Sequence, residues 1–330
     1  MKWLFYMVAL FMPLYLSAQP AVHGEITRDT RWAGQVFIDG DVIVRPGAVL
    51  SIAPGSRIII EANRDVTRSG RDPQRVELIV LGKLLARGEK GEGKIIFTSS
   101  AREPHLGDWY GIVIKNRREP SLLDNCVIEY AHIGVTCYGS SPVLSNSEIR
   151  FNHYAGVSCE VRSRAILRRC TLMGNDFAGL VCELASSPIV ENSVITQNEN
   201  GIIIFDRSAP DLGQAQAGEN ASRGQNRIFN NFEVNIYNQS DREIFAQNNI
   251  WNVEDPEEIH QTIVDNADDP GFGQVVIEPM YREAPAPVVA RRPSRQPPPP
   301  ASPPPQPAET LLVTYTPTPS IASNGGGSLA

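Results

Sequence analysis

Four side chains recur at matched positions, spaced as a shared surface would need. Tyr138, Glu160, Glu183 and Phe205 each stand two residues after a matched set, Thr136, Ser158, Val181 and Ile203. If the segments that carry them stack in register, two carboxylates become neighbours with an aromatic ring on either side. Adjacent carboxylates raise each other's pKa or share a cation. Ca²⁺ is the ion they would suit, and no other cofactor is called for. Aromatic faces beside acids fit a sugar-binding strip, and Asp206 and Asp211 would lie near its far end. The same residues also fit a solvated outer face with no ligand, and the pattern alone leaves both readings open.

Other chemistry-bearing residues are weaker candidates. His23, His105, His132, His153 and His260 are scattered without metal-ligand spacing. Asn152, Asn175 and Asn198 recur every 23 residues. They could contact a polar ligand, but the regular spacing favours a turn ladder in which Asn accepts left-handed dihedrals. The five cysteines, Cys126, Cys137, Cys159, Cys170 and Cys182, share repeat phases with aliphatic residues. We expect five free, buried thiols rather than disulfides, because directly stacked residues keep their Cβ atoms too far apart for a comfortable bridge.

The elements that place these residues form a repeat. Ile133-Gly134-Val135, Ala155-Gly156-Val157, Ala178-Gly179-Leu180 and Asn200-Gly201-Ile202 align on their glycines at intervals of 22, 23 and 22 residues. Cys126-Val127-Ile128, Ser147-Glu148-Ile149, Cys170-Thr171-Leu172 and Ser193-Val194-Ile195 give a second phase at 21, 23 and 23. Ser141-Pro142, Arg164-Ala165, Ser187-Pro188 and Ala209-Pro210 give a third. Within each phase apolar residues alternate with period two, the signature of short strands. Three strands and three turns per repeat make one coil of a solenoid, with coils stacked about 4.8 Å apart.

These repeats resemble the right-handed parallel β-helix of the pectate-lyase-like superfamily, in its exported bacterial form. Gly40-Asp41-Val42-Ile43-Val44, Pro46-Gly47-Ala48-Val49-Leu50, Gly107-Asp108-Trp109-Tyr110-Gly111 and Asn248-Asn249-Ile250-Trp251 resemble its recurrent end coils, so the likeness spans roughly residues 24–280. It implies an all-β, single-domain solenoid. It says little about activity, because the fold hosts lyases, hydrolases, epimerases and adhesins. The Asn-Thr-Asp, Gly-His-Gly and Arg-Ile-Lys signatures of its hydrolases are absent, and the one Asp-Asp pair, Asp268-Asp269, lies beyond the repeats.

The ends complete the layout. Residues 1–18 read as a signal peptide: Lys2, an apolar run from Trp3 to Leu16, then Ser17-Ala18. Residues 19–282 form the β-helix with its caps, and 283–330 a disordered tail with Pro297–Pro300 and Pro303–Pro305. Asp255–Val264 reads as a short capping helix with Asp255 as N-cap and Pro256 in the first turn. Two charged excursions, Asn63–Arg75 and Ser208–Gly224, interrupt the repeat. Such loops often lie on the binding face of a solenoid.

A formal net charge of −7 argues against nucleic acid as a partner. The expectation is an exported, periplasmic or extracellular monomer with no membrane anchor after signal cleavage. It acts as a non-catalytic binding or structural module, with a polysaccharide or cell-envelope component as partner. Two alternatives stand beside it. One is a polysaccharide lyase or glycoside hydrolase using Glu160 and Glu183; the other is a protein-interaction scaffold working through the Pro-rich tail.

Overall fold

The computed structural model describes residues 21–281. The expected signal peptide and Pro-rich tail lie outside the described residues. Within them the chain winds through parallel strands in a 17-stranded and a seven-stranded sheet. The larger sheet covers two faces of the coil. They are joined where the long strand Gln35–Val44 pairs with Arg57–Ile60 through its first half and with Glu77–Val80 through its second. The result is a three-sided parallel β-helix.

Alternation decides what fills it. On one face Val135, Val157, Leu180, Ile202 and Ile236 point inward as one buried column, and Cys137, Cys159, Cys182 and Ile204 as the next. All five cysteines are free and buried. Burial pushes the Cys170 thiol up to about 12, so these sulfurs behave as apolar filler.

Each corner carries a polar ladder. At one, Asn152 Nδ2 donates to Asn175 Oδ1 at 2.9 Å, Asn175 Nδ2 to Asn198 Oδ1 at 2.8 Å, and Asn198 Nδ2 to Asn231 Oδ1 at 3.0 Å. The side-chain oxygens also accept from the backbone N–H of the preceding coil. Groups that turning strands would leave unpaired are satisfied this way. One detail differs from expectation. The left-handed residue is not the Asn but the one before it: Phe151, Gly174, Gln197 and Asn230. The Asn side chain is needed for hydrogen bonding, and its neighbour takes the strained dihedral. Serine ladders mark the other corners, as where Ser163 N and Ser186 N donate to Ser186 Oγ and Ser208 Oγ, both at 3.1 Å.

The C-terminal helix is shorter than expected. It spans Pro256–His260, with the Asp255 carboxylate accepting from Glu257 N at 3.0 Å. Ile263–Val264 is instead a strand paired with Ile236 and Tyr237. Two β-branched residues next to an open sheet edge gain more from pairing there than from another helical turn.

Candidate functional site

The strip exists as a ladder on the outer face of the larger sheet. Tyr138 pairs in register with Glu160. Glu183 N donates to Cys159 O and Phe205 N to Cys182 O, both at 2.8 Å, so the four residues occupy successive coils. Because Cys137, Cys159, Cys182 and Ile204 point inward, their successors point outward. All four are half-buried.

A second wall runs parallel to it. Tyr110, His132, Tyr154 and Phe177 stack coil on coil, with ring centroids 5.5, 5.8 and 4.8 Å apart in turn. Between the walls lies a floor of Val113, Thr136, Ser158, Val181 and Ile203. Toward the C-terminal coils this floor is apolar, where Val181 and Ile203 pack with Tyr154, Phe177, Phe205 and Tyr237. In the middle coils it is polar, and Ser158 Oγ donates to Glu160 Oε1 at 3.3 Å. The hydroxyl of Thr136 is buried without a hydrogen-bond partner.

The excursion at 63–75 reaches across the N-terminal end of this face. The Arg71 guanidinium lies 5.2 Å from the Tyr138 ring centre, with Lys115 Nζ at 5.6 Å from the same ring and Arg75 at 5.8 Å from the Tyr110 ring. Arg71 Nη2 approaches Glu160 Oε2 at 3.6 Å. Three buried carboxylates hold the loop in place. Asp41 Oδ2 accepts from Ser69 N and Gly70 N, both at 2.7 Å. Asp65 Oδ2 accepts from Arg68 N at 2.6 Å, and Glu77 Oε1 accepts from Arg71 N and Asp72 N.

Proximity shapes the charges. Burial raises the pKa of Glu183, and Glu160 and Asp206 add to the shift. Tyr154 is raised by burial and by the same two glutamates. Burial lowers His132 to about 4, helped by Arg75 and His153, so its ring is neutral near pH 7. Burial opposes the charge on Arg71, but the Tyr110 hydroxyl and Glu160 outweigh it and raise its pKa.

The expected site residues therefore divide. Tyr138, Glu160, Glu183 and Phe205 share one face, and Asp206 joins its edge, where Oδ2 accepts from Leu184 N at 2.9 Å. Asp211 does not. It bridges to Ile189 of the seven-stranded sheet, and its carboxylate accepts from Gly213 N, Gln214 Nε2 and Ser222 N. It organises the 208–224 insertion on another face. Reading along the chain also missed Arg71, Arg75, Lys115, Tyr110, His132 and Tyr154. The last three had a signal, since each falls at the same point of its coil, one or two residues ahead of a glycine: Gly111, Gly134 and Gly156. Lys115 had one too, since it stands two residues after Val113 as Tyr138 stands two after Thr136. The loop cations Arg71 and Arg75 had none, because their position depends on the path of an irregular segment.

Two cavities, of about 540 and 480 Å³, lie elsewhere, both lined in part by Trp251 and Val253. Neither touches the strip. Among the described residues no group of three His, Cys, Asp or Glu is placed to hold a metal, and no helix is long and apolar enough to cross a membrane.

Residues 99–250 match the family model described as a right-handed β-helix region. This chain is a right-handed parallel β-helix protein. The β-helix is also similar to the crystal structure of the periplasmic alginate epimerase AlgG, at 11% identity over 76% of each chain, with a TM-score of 0.26. A likeness at that level says nothing about what this β-helix binds or does. A search of curated proteins finds no match.

Proposed function

We propose that this β-helix is an exported carbohydrate-binding module that takes a length of polysaccharide across the outer face of its larger sheet, without turnover. The observation that carries the reading is the pair of parallel walls. Tyr110, His132, Tyr154 and Phe177 form one, and Tyr138, Glu160, Glu183 and Phe205 the other. Both repeat once per coil, as a polymer repeats once per sugar. Half-exposed rings supply apolar edges and faces, and hydroxyl, imidazole and carboxylate groups supply hydrogen bonds.

Turnover would need two groups converging on one reacting atom. Glu160 is instead engaged by Arg71 and Ser158. Glu183 belongs to the next coil and is flanked by a further acid, Asp206. The exported setting rests on the amino-terminal pattern of Lys2, the apolar run and Ser17-Ala18.

Affinity electrophoresis of the full chain through gels containing neutral, acidic or amino polysaccharides tests the reading. Reducing-end and unsaturated-product assays on the same polymers run beside it. Retardation without product release is expected, and loss of retardation in Tyr154→Ala with Phe177→Ala. Product release abolished by Glu183→Gln would replace the module with an enzyme. Absence of retardation by every polymer would remove carbohydrate as the ligand class.

A further inference from the structure

The acidic wall has a charge pattern that selects among sugars. Glu160, Glu183 and Asp206 sit on three successive coils, close enough that Glu160 and Asp206 both raise the pKa of Glu183. One cation, Arg71, approaches this group, and at 3.6 Å from Glu160 its contact is longer than a direct hydrogen bond. Among the described residues Glu183 and Asp206 have no ion-pair partner. Beside Glu160, on the preceding coil, the Tyr138 ring draws two cationic side chains, Arg71 at 5.2 Å and Lys115 at 5.6 Å. Ring faces attract cations through their quadrupole, so this part of the face already binds positive charge supplied by the chain itself.

A second observation is independent of the acids. Thr136 is fully buried on the outward side of its strand, and its Oγ1 has no hydrogen-bond partner. It stands in register with Ser158, whose hydroxyl donates to Glu160. A buried hydroxyl left unpaired costs free energy, and a donor that displaced the side chains covering it would satisfy it. A protonated amine brings three N–H donors and a positive charge to a place that offers carboxylates, a hydroxyl and a ring face. A sugar carboxylate would meet Glu160, Glu183 and Asp206 with like charge.

Resting on the carbohydrate-binding reading above, we infer that the polymer recognised on this face carries protonated primary amines, as a de-N-acetylated amino-sugar polysaccharide does. The amine lodges among Tyr138, Glu160 and Glu183, and Arg71 occupies that position from within the chain. Arg71 thus competes with the ligand.

Calorimetric titration of the full chain with a glucosamine tetramer, its N-acetylated counterpart and an oligogalacturonate tetramer, in mildly acidic buffer where the amines are protonated and at low salt, tests this. The glucosamine tetramer is expected to bind about tenfold tighter than the acetylated one, as a charge-assisted hydrogen bond allows. Glu183→Gln and Asp206→Asn should each shrink that preference, with a larger loss of affinity for the glucosamine tetramer than for the acetylated one. Arg71→Ala should raise affinity for the amine. Equal affinity for the amine and acetyl forms, preference for the oligogalacturonate, or weaker amine binding in Arg71→Ala would overturn the inference. If the acetylated tetramer binds in a Tyr154-dependent way with no amine preference, the carbohydrate face stands and the amine selectivity falls. If none of the three binds, both fall.

Discussion

The guanidinium of Arg71 lies 5.2 Å from the centre of the Tyr138 ring and its Nη2 is 3.6 Å from Glu160. This contact joins an early excursion of the chain to coils that follow much later. It places a cation on a face whose own strands contribute acids and aromatics. Arg71→Ala should cost about 1 kcal/mol, the sum of a modest cation–π contact and a partly exposed ion pair. Hydrogen exchange at 68–72 should quicken while exchange in the strands stays unchanged. Equal slowing or quickening in both regions would show that Arg71 does not act locally.

The loop is held from beneath by Asp41, which is fully buried and accepts hydrogen bonds from Thr67, Ser69, Gly70 and Glu77. Asp41→Ala leaves several of those donors unpaired and should cost about 3 kcal/mol in urea denaturation. It should also release Arg71 from Tyr138. A loss below about 1 kcal/mol would mean that water replaces the carboxylate without strain.

Asn175 is the middle of the amide ladder. It accepts from Asn152 N and Nδ2 and donates to Asn198 Oδ1 and Ile149 O. Asn175→Ala should destabilise by about 3 kcal/mol, because buried partners in two coils and one backbone carbonyl lose hydrogen bonds. Denaturation that matches wild type would show that the ladder is incidental to the fold.

Val161 and Leu184 follow the two strip glutamates at φ 57° and 53°. Left-handed dihedrals suit Asn and Gly far better than branched side chains. Leu184 is also half exposed, so little apolar burial is at stake. Leu184→Asn should therefore stabilise by about 0.5–1 kcal/mol, seen as a higher Tm. A lower Tm would mean that the Leu184 side chain contributes packing that outweighs its backbone strain.

Glu183 predicts a pH dependence. Its pKa is raised by burial and by Glu160 and Asp206, so the folded state favours the protonated form. That contribution is present below the ordinary carboxylate value and is lost as pH rises through the raised one. Glu183→Gln should match wild-type stability in acid and exceed it at neutral pH. Partial exposure keeps the gain small. A variant less stable than wild type at neutral pH would contradict the assigned cause.

The architecture was legible because the residues that build it repeat. Gly134, Gly156, Gly179 and Gly201 mark one strand position, where a side chain would collide with the next coil, and the Cys137–Cys159–Cys182 column marks one inward position. The register of Tyr138, Glu160, Glu183 and Phe205 followed from the same spacing. Asp211 was misplaced although the repeat locates it: it follows Pro210 as Ile189 follows Pro188, and that phase belongs to the seven-stranded sheet, not to the strip. The helix end at His260 was hidden because an unpaired sheet edge, invisible to local pattern, drew Ile263 and Val264 into a strand. Arg71 and Arg75 were unreadable for a third reason: hydrogen bonds to Asp41, Asp65 and Glu77 set their loop, not periodicity.

Hydroxyl-radical footprinting of the full chain, with and without a polysaccharide that retards it, addresses the central claim most directly. Carbohydrate bound across the outer face should protect Tyr138, Tyr154, Phe177 and Phe205 from oxidation while leaving Trp251 and Tyr281, which line the C-terminal cavity, unchanged. Protection at Trp251 and Tyr281 with the four strip and wall rings unaffected would contradict it.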